Sequence, residues 1–88
     1  MAKIEIYSSV QCPYCVRAKM LLDTKGVDYE EIQVDKHPEQ RDIMLKRSGG
    51  KRTVPQIFIN DRSIGGFDDL WQLEQSGQLD DLLNEGED

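Results

Sequence analysis

The chain has 88 residues, of which 17 are acidic and 11 are basic, so its formal net charge is −6 at pH 7. This charge argues against non-specific nucleic-acid binding, which needs a basic surface, and no apolar run is long enough to span a bilayer. We therefore expect one small domain over residues 1–88, with no nucleic acid and no membrane among its partners. Because the start of the chain alternates instead of forming an apolar signal-peptide core, we expect a cytoplasmic protein.

The first third of the chain predicts a strand, a helix and a second strand. Residues 4–7 alternate between apolar and polar side chains, as a half-buried strand does. Pro13 suits the first position of a helix, where its missing N–H costs nothing, and Gly26 suits the position just beyond the helix end. Residues 27–34 alternate again and predict the second strand.

The rest of the chain predicts a helix, a hairpin and a final helix. The segments are a helix over residues 38–48, strands within 54–59 and at 62–64, a helix that begins at 67 and ends before Gly77, and an apolar turn at 79–83. A right-handed crossover fits the first strand–helix–strand unit, which makes its two strands parallel. The predicted order is therefore βαβ, then α, then ββα.

The most informative motif is Cys12-Pro13-Tyr14-Cys15, which holds the only two cysteines of the chain. The first thiol of such a motif lies at a helix N-terminus, where unpaired N–H groups and the helix dipole lower its pKa. In a reducing compartment this spacing favours a thiol–disulfide redox centre. The alternatives are half of a zinc site, a structural disulfide or two inert buried thiols. A zinc site is disfavoured because two Cys and one His cannot supply the usual four ligands.

Three motifs and the order of the elements resemble the glutaredoxin family of the thioredoxin fold. The motifs are Cys12-Pro13-Tyr14-Cys15, Thr53-Val54-Pro55 and Gly65-Gly66-Phe67-Asp68-Asp69-Leu70. The chain is similar to the short bacterial dithiol glutaredoxins of the type numbered three. The resemblance implies an α/β, thioredoxin-like fold in which helices flank a four-stranded mixed sheet.

The resemblance also implies a glutathione-dependent thiol–disulfide oxidoreductase. Cys12 would attack protein disulfides and protein–glutathione mixed disulfides, Cys15 would resolve the mixed disulfide with a protein, and glutathione would be a co-substrate rather than a bound cofactor. The expected partners are glutathione and disulfide-bonded or glutathionylated proteins, and we expect a monomer without a metal. Two alternatives stay open: a dimeric iron–sulfur cluster carrier ligated by glutathione, and a hydrogen donor that thioredoxin reductase reduces.

By the same resemblance, a glutathione groove would consist of Tyr14, Arg41, Arg52, Thr53, Val54, Pro55, Gly66, Phe67, Asp68 and Asp69. Pro55 would follow a cis peptide bond that turns the Val54 backbone toward an extended, peptide-like ligand. The γ-glutamyl carboxylate of glutathione would meet the N–H groups of Phe67 and Asp68 at a helix start. Asp68 or Asp69 would face the ammonium group.

The chain departs from the family at Ser9, where many glutaredoxins carry a Lys three residues before the first Cys. That Lys helps to bind the glycyl carboxylate of glutathione. Arg52 is placed to take over part of this role, and Arg41 is a second candidate. The Gly49-Gly50 pair also makes the chain one residue longer than similar glutaredoxins.

Several single residues carry further expectations. Phe58 and Trp71 are predicted to lie in the core, and Arg17 and Lys19 are predicted to be solvated charges. Four basic residues form a cluster that indicates either a solvated helix end or a site for an anionic substrate: Lys46, Arg47, Lys51 and Arg52.

Overall fold

The computed structural model describes residues 2–84 of the chain. Its elements, in chain order, are β1 (Ile4–Ser8), α1 (Pro13–Thr24), β2 (Glu30–Gln33), α2 (Pro38–Arg47), β3 (Gln56–Ile59), β4 (Arg62–Gly65), α3 (Phe67–Ser76) and α4 (Gln78–Asn84). The strands form one sheet in the order β2-β1-β3-β4, in which β1 and β2 are parallel and the other pairs are antiparallel. The α/β class and the mixed four-stranded sheet are confirmed, whereas a single domain over residues 1–88 stays a prediction.

The sheet carries buried apolar side chains on both faces, because side chains alternate in direction along each strand. The larger cluster lies against α1, α3 and α4 and consists of Ile4, Ile6, Ala18, Leu22, Ile57, Ile59, Leu70, Leu79 and Leu83. The smaller cluster lies against α2 and consists of Tyr7, Val34, Met44 and Phe58. Within residues 2–84, no helix combines the length and the apolarity that a bilayer crossing needs.

The second strand begins at Glu30, later than the alternation from residue 27 predicts. Gly26 has a φ of 70°, and the Val27 N–H donates to the Leu22 carbonyl oxygen over 3.5 Å. Val27 therefore completes the end of α1, as the residue after a helix-terminating glycine often does. Pairing with β1 starts only where Glu30 lies opposite Glu5.

The basic cluster does not act as one group, because Arg47 is fixed on the sheet. Its guanidinium donates to both carboxylate oxygens of Glu5, at 2.9 and 3.1 Å, and to the Tyr7 hydroxyl at 2.9 Å. The guanidinium carbon also lies 4.1 Å from the centre of the Phe58 ring. The hydrogen bonds from Arg47 lower the pKa of the Glu5 carboxyl, which is only 8% exposed. A solvated or anion-binding role is therefore wrong for Arg47.

Arg47→Met is expected to lower the free energy of unfolding by about 2–3 kcal/mol at pH 7, because the buried Glu5 carboxylate loses its charged partner. The difference from wild type should shrink at pH 3. A lowered carboxyl pKa stabilises the fold above the ordinary Glu pKa, and this stabilisation is lost as the pH falls through the lowered value. Urea unfolding at both pH values measures the effect, with the exposed Lys46→Met as the control. Equal losses at the two pH values would contradict the assignment to Glu5.

Candidate active site

The two cysteines form a disulfide at the N-terminus of α1. Cys12 precedes the first helical residue, and its sulfur accepts the Cys15 N–H at 3.1 Å. Cys12 is partly exposed, whereas Cys15 is fully buried. An incoming sulfur atom therefore reaches Cys12 and not Cys15.

The helix start supplies the positive potential at Cys12, because the loop before it adds no positive charge. Ser9 is half-buried and uncharged, and the adjacent Val10 N–H donates to the Asp35 carboxylate at 3.2 Å. N–H groups at a helix start, here including that of Cys15, stabilise a thiolate by hydrogen bonding and through the helix dipole. Once the disulfide is reduced, we expect these groups to favour a thiolate at Cys12 over one at the buried Cys15.

A cleft of about 340 Å³ opens next to the cysteine pair. It is lined by Tyr14, Lys51, Thr53, Val54, Pro55, Gln56, Gly66, Phe67, Asp68 and Asp69. The Val54–Pro55 peptide bond is cis, and the Val54 carbonyl oxygen lies 3.7 Å from the Cys12 sulfur. Eight of the ten residues expected in a glutathione groove thus line one cleft, while Arg41 and Arg52 do not. Lys51 and Gln56 line it in addition, and the motifs did not indicate either of them.

The start of α3 forms part of the cleft wall. The Gly66 N–H donates to Asp69 Oδ2 at 3.0 Å, so Asp69 caps the helix. Gly65 has a φ of 114°, and a Cβ there would collide with the Asp69 carboxylate, which explains a glycine at this position. Within residues 2–84, the side chain of Asp68 makes no hydrogen bond or ion pair with another residue. The first N–H groups of a helix have no intrahelical acceptor, so this end of the cleft suits an anion.

Among the described residues, Lys51 is the basic residue that lines the cleft. The Ser48 hydroxyl accepts the Lys51 N–H at 3.1 Å and donates to the Lys51 carbonyl oxygen at 3.2 Å, which fixes the backbone there. Arg52 is exposed outside the lining, and Arg41 donates to its carbonyl oxygen at 3.1 Å. The sequence motifs do not indicate Lys51 itself, although Lys51 belongs to the basic cluster that the sequence shows.

Three aromatic rings form a row that begins at the cleft. The ring centres of Tyr14 and Phe67 are 6.3 Å apart, and those of Phe67 and Trp71 are also 6.3 Å apart. Trp71 is 44% exposed, so the prediction that it lies in the core is wrong. Leu70 takes the buried position on α3, and successive helical residues point about 100° apart. Phe58 is buried, as predicted.

Lys19 is paired, so the prediction of a solvated charge is wrong. Its ammonium lies 2.9 Å from Glu31 Oε2, which also accepts the buried Ser8 hydroxyl at 2.7 Å. The Ser8 hydrogen bond, followed by that from Lys19, lowers the pKa of the Glu31 carboxyl. These contacts fasten α1 to β1 and β2. Arg17 is exposed, as predicted, with its guanidinium carbon 5.2 Å from the centre of the Tyr14 ring.

Comparison of the chain with known proteins identifies its family. A glutaredoxin family model matches residues 4–64. The chain belongs to the glutaredoxin family. Glutaredoxins are glutathione-dependent oxidoreductases, so the chain is a glutathione-dependent thiol–disulfide oxidoreductase with its cysteine pair at Cys12 and Cys15.

Individual glutaredoxins cover most of this chain. Glutaredoxin 3 of Escherichia coli K12 is 53% identical over 83 residues, which are 94% of this chain and 99% of that protein. Glutaredoxin 1 of Rickettsia typhi is 56% identical over 81 residues, which are 91% of this chain and 78% of that protein. The crystal structure of a buckwheat glutaredoxin–glutathione complex superimposes with a TM-score of 0.87 at 32% identity, covering 96% of this chain and 78% of that chain.

In the reduced glutaredoxin, iodoacetamide is expected to label Cys12 before Cys15, since Cys12 is partly exposed and the helix start favours its thiolate. Mass spectrometry of the digested protein locates the label. In ultraviolet titrations of the single-cysteine variants, the thiolate of Cys15→Ser should form at a lower pH than that of Cys12→Ser, whose remaining thiol is buried. The opposite order would show that the helix start does not activate Cys12.

Proposed function

We propose that Cys12 is the nucleophile and Cys15 the resolving thiol of a dithiol cycle. The observation that best supports this assignment is the Cys15 N–H donated to the Cys12 sulfur at 3.1 Å, at the exposed start of α1. The Cys12 thiolate attacks one sulfur of a protein disulfide or of a protein–glutathione mixed disulfide, and the other sulfur leaves as a thiolate. Cys15 then attacks the Cys12 sulfur of a mixed disulfide with a protein, which releases the reduced protein and forms the Cys12–Cys15 disulfide.

Glutathione closes the cycle in two exchange steps. A first glutathione thiolate attacks the Cys12 sulfur and frees the Cys15 thiol. A second attacks the sulfur of the glutathione now bound to Cys12, which releases glutathione disulfide and the Cys12 thiolate. Glutathione is thus a co-substrate, and no cofactor is bound permanently. Because the two electrons come from a reducing glutathione pool, the protein would act in the cytoplasm. It would act there as a monomer on disulfide-bonded or glutathionylated proteins.

The cleft beside the cysteines fits glutathione as an extended tripeptide. Val54 presents its backbone next to the reactive sulfur, which supports strand-like pairing with the cysteinyl residue of the ligand. The γ-glutamyl carboxylate meets the N–H groups of Phe67 and Asp68 at the start of α3. Asp68 faces the ammonium group, because the Asp69 carboxylate already accepts the Gly66 N–H.

The glycyl carboxylate of the ligand meets the basic segment before β3. Lys51 lines the cleft and supplies the nearer positive charge, with the exposed Arg52 beside it as the second cation. Arg41 acts on the backbone through its hydrogen bond to the Arg52 carbonyl oxygen. The remaining walls of the groove are Tyr14, Thr53, Pro55, Gly66 and Asp69.

Cys12→Ser is expected to abolish both the reduction of protein disulfides and the removal of glutathione from mixed disulfides, since the remaining Cys15 is buried. Cys15→Ser should still remove glutathione from a mixed disulfide, which needs one thiol, and should lose most of its protein-disulfide reduction. Assays coupled to glutathione and glutathione reductase measure both, with a glutathionylated peptide and a protein disulfide as substrates. Activity retained by Cys12→Ser and lost by Cys15→Ser would reverse the roles. Faster reduction of the wild type by thioredoxin reductase than by glutathione would contradict the proposed cycle.

Asp68→Ala is expected to raise KM for a glutathionylated peptide roughly threefold to tenfold, the effect of one lost charge-assisted hydrogen bond at an exposed site. Its kcat and its stability to urea should stay near those of wild type. Asp69→Ala is the matched control, and it should mainly lower the free energy of unfolding, by about 1 kcal/mol, because α3 loses its cap. A raised KM in Asp69→Ala alone, at unchanged stability, would assign the ammonium contact to Asp69 instead.

A further inference from the structure

Gln56 is a polar residue in a strand that is otherwise apolar, and it is almost completely buried. Only 2% of its surface is exposed, and Ile57, Phe58 and Ile59 follow it in β3. Its side-chain amide nitrogen donates to the Thr53 carbonyl oxygen at 2.9 Å and to the Thr53 hydroxyl at 3.3 Å. Its side-chain oxygen is buried as well and accepts no hydrogen bond from any residue within 2–84.

A buried amide with an unpaired oxygen is an unfavourable choice for core packing alone. Burying a polar atom without a partner destabilises the fold, and an apolar side chain of similar length would avoid this cost. Such a side chain would, however, lose the two hydrogen bonds to Thr53. The amide of Gln56 therefore stabilises the conformation of the segment before β3 rather than the packing of the core.

The segment that Gln56 holds carries the backbone that lies beside the reactive sulfur. Residues 49–50 are exposed glycines with φ values of 75° and 97°, and Thr53 is exposed, so little side-chain packing holds this stretch. Val54 follows Thr53 directly and places its carbonyl oxygen 3.7 Å from the sulfur of Cys12. A displacement of Thr53 therefore moves the Val54 backbone relative to the sulfur.

We propose that Gln56 is a positioning residue for glutathionylated substrates: its amide holds the Thr53–Val54 backbone where the glutathione moiety pairs with it beside Cys12. This inference rests on the proposed function, because it assumes that glutathione lies in the cleft. Gln56 also lines the cleft, but its amide nitrogen is engaged with Thr53, so we infer that it acts through the backbone rather than on the reacting sulfur. A backbone that is held in place before binding loses less conformational freedom when the substrate binds, which lowers KM.

Gln56→Met tests the proposal, because methionine has a similar length and no hydrogen-bond donor. KM for a glutathionylated peptide should rise roughly threefold to tenfold, the effect of one lost hydrogen bond. The iodoacetamide rate of Cys12 and kcat should change little. The urea midpoint should not fall, because the unpaired oxygen is removed together with the donors. Gln72→Met, which replaces an exposed amide on α3, is the matched control and should change none of these quantities.

Gln56→Glu adds a pH signature that a merely structural role would not produce. A protonated carboxyl group still donates to the Thr53 carbonyl oxygen, whereas a carboxylate cannot donate and repels that oxygen. Burial at this position raises the pKa of the introduced carboxyl group above the ordinary Glu value. The KM of Gln56→Glu divided by the wild-type KM at the same pH should therefore rise with pH, from near unity in mildly acidic buffer to roughly tenfold in mildly basic buffer. The iodoacetamide rate of Cys12 against pH, measured in both proteins, shows whether the new carboxylate also shifts the titration of Cys12.

An unchanged KM in Gln56→Met would overturn the proposal, and so would a KM ratio for Gln56→Glu that does not vary with pH. A fall in the urea midpoint of Gln56→Met at a normal KM would show a role in stability alone and would overturn it too. If Gln56→Met does not fold, the pH series of Gln56→Glu decides. Failure of the proposed function is distinguishable, because the wild type would then show no saturable activity with the glutathionylated peptide.

Discussion

In the proposed cycle, the reactivity of Cys12 depends on one hydrogen bond, which the Cys15 N–H donates to the Cys12 sulfur at the start of α1. The bond forms because the helix begins at Pro13, which leaves Cys12 outside the helix and the next N–H groups without intrahelical acceptors. The helix keeps its place because Ala18 and Leu22 are buried against the sheet. A change in the core that shifts α1 therefore alters the reactivity of the sulfur as well as the stability of the fold.

A protein with a net charge of −6 can stabilise an anionic sulfur, as the proposed cycle requires, if the local field at the start of α1 outweighs the net charge. Two of the acidic groups near the cysteine-bearing helix have hydrogen-bond or ion-pair partners. Glu31 is paired with Lys19 at 2.9 Å, and Asp35 accepts the Val10 N–H at 3.2 Å. The helix dipole acts within about one turn, whereas exposed charges are largely screened beyond about 8–10 Å at physiological salt. Exposed acidic groups farther away than this therefore have little influence on the sulfur, whereas Asp68 and Asp69 lie in the cleft beside it.

Features that depend on residues close together in the sequence are predictable from it, whereas features that depend on contacts between distant residues are not. Local signals locate most of the strands and helices, but β2 begins three residues later than the alternation predicts, and residues 78–84 form a helix where the pattern predicts only an apolar turn at 79–83. The Asn60-Asp61 turn has φ values of 52° and 67°, which match a tight hairpin. The position of Arg47 is not predictable in this way, because its partner Glu5 lies 42 residues away. Trp71 is large and apolar yet exposed, since only packing decides which residue of α3 faces the core. Lys51 in the cleft depends on the path of an irregular segment, for which no periodicity exists.

The cleft has two walls that are held in different ways. The wall from α1 and α3 is anchored by side chains in the larger core cluster, which is also what holds the thiol in place. The wall from the segment before β3 is held mainly by hydrogen bonds from single side chains: Ser48 to Lys51, Arg41 to the Arg52 carbonyl oxygen, and Gln56 to Thr53. None of these three side chains touches the reactive sulfur. Substitutions in the second wall can therefore change which disulfides bind, while the first wall keeps the thiolate chemistry constant.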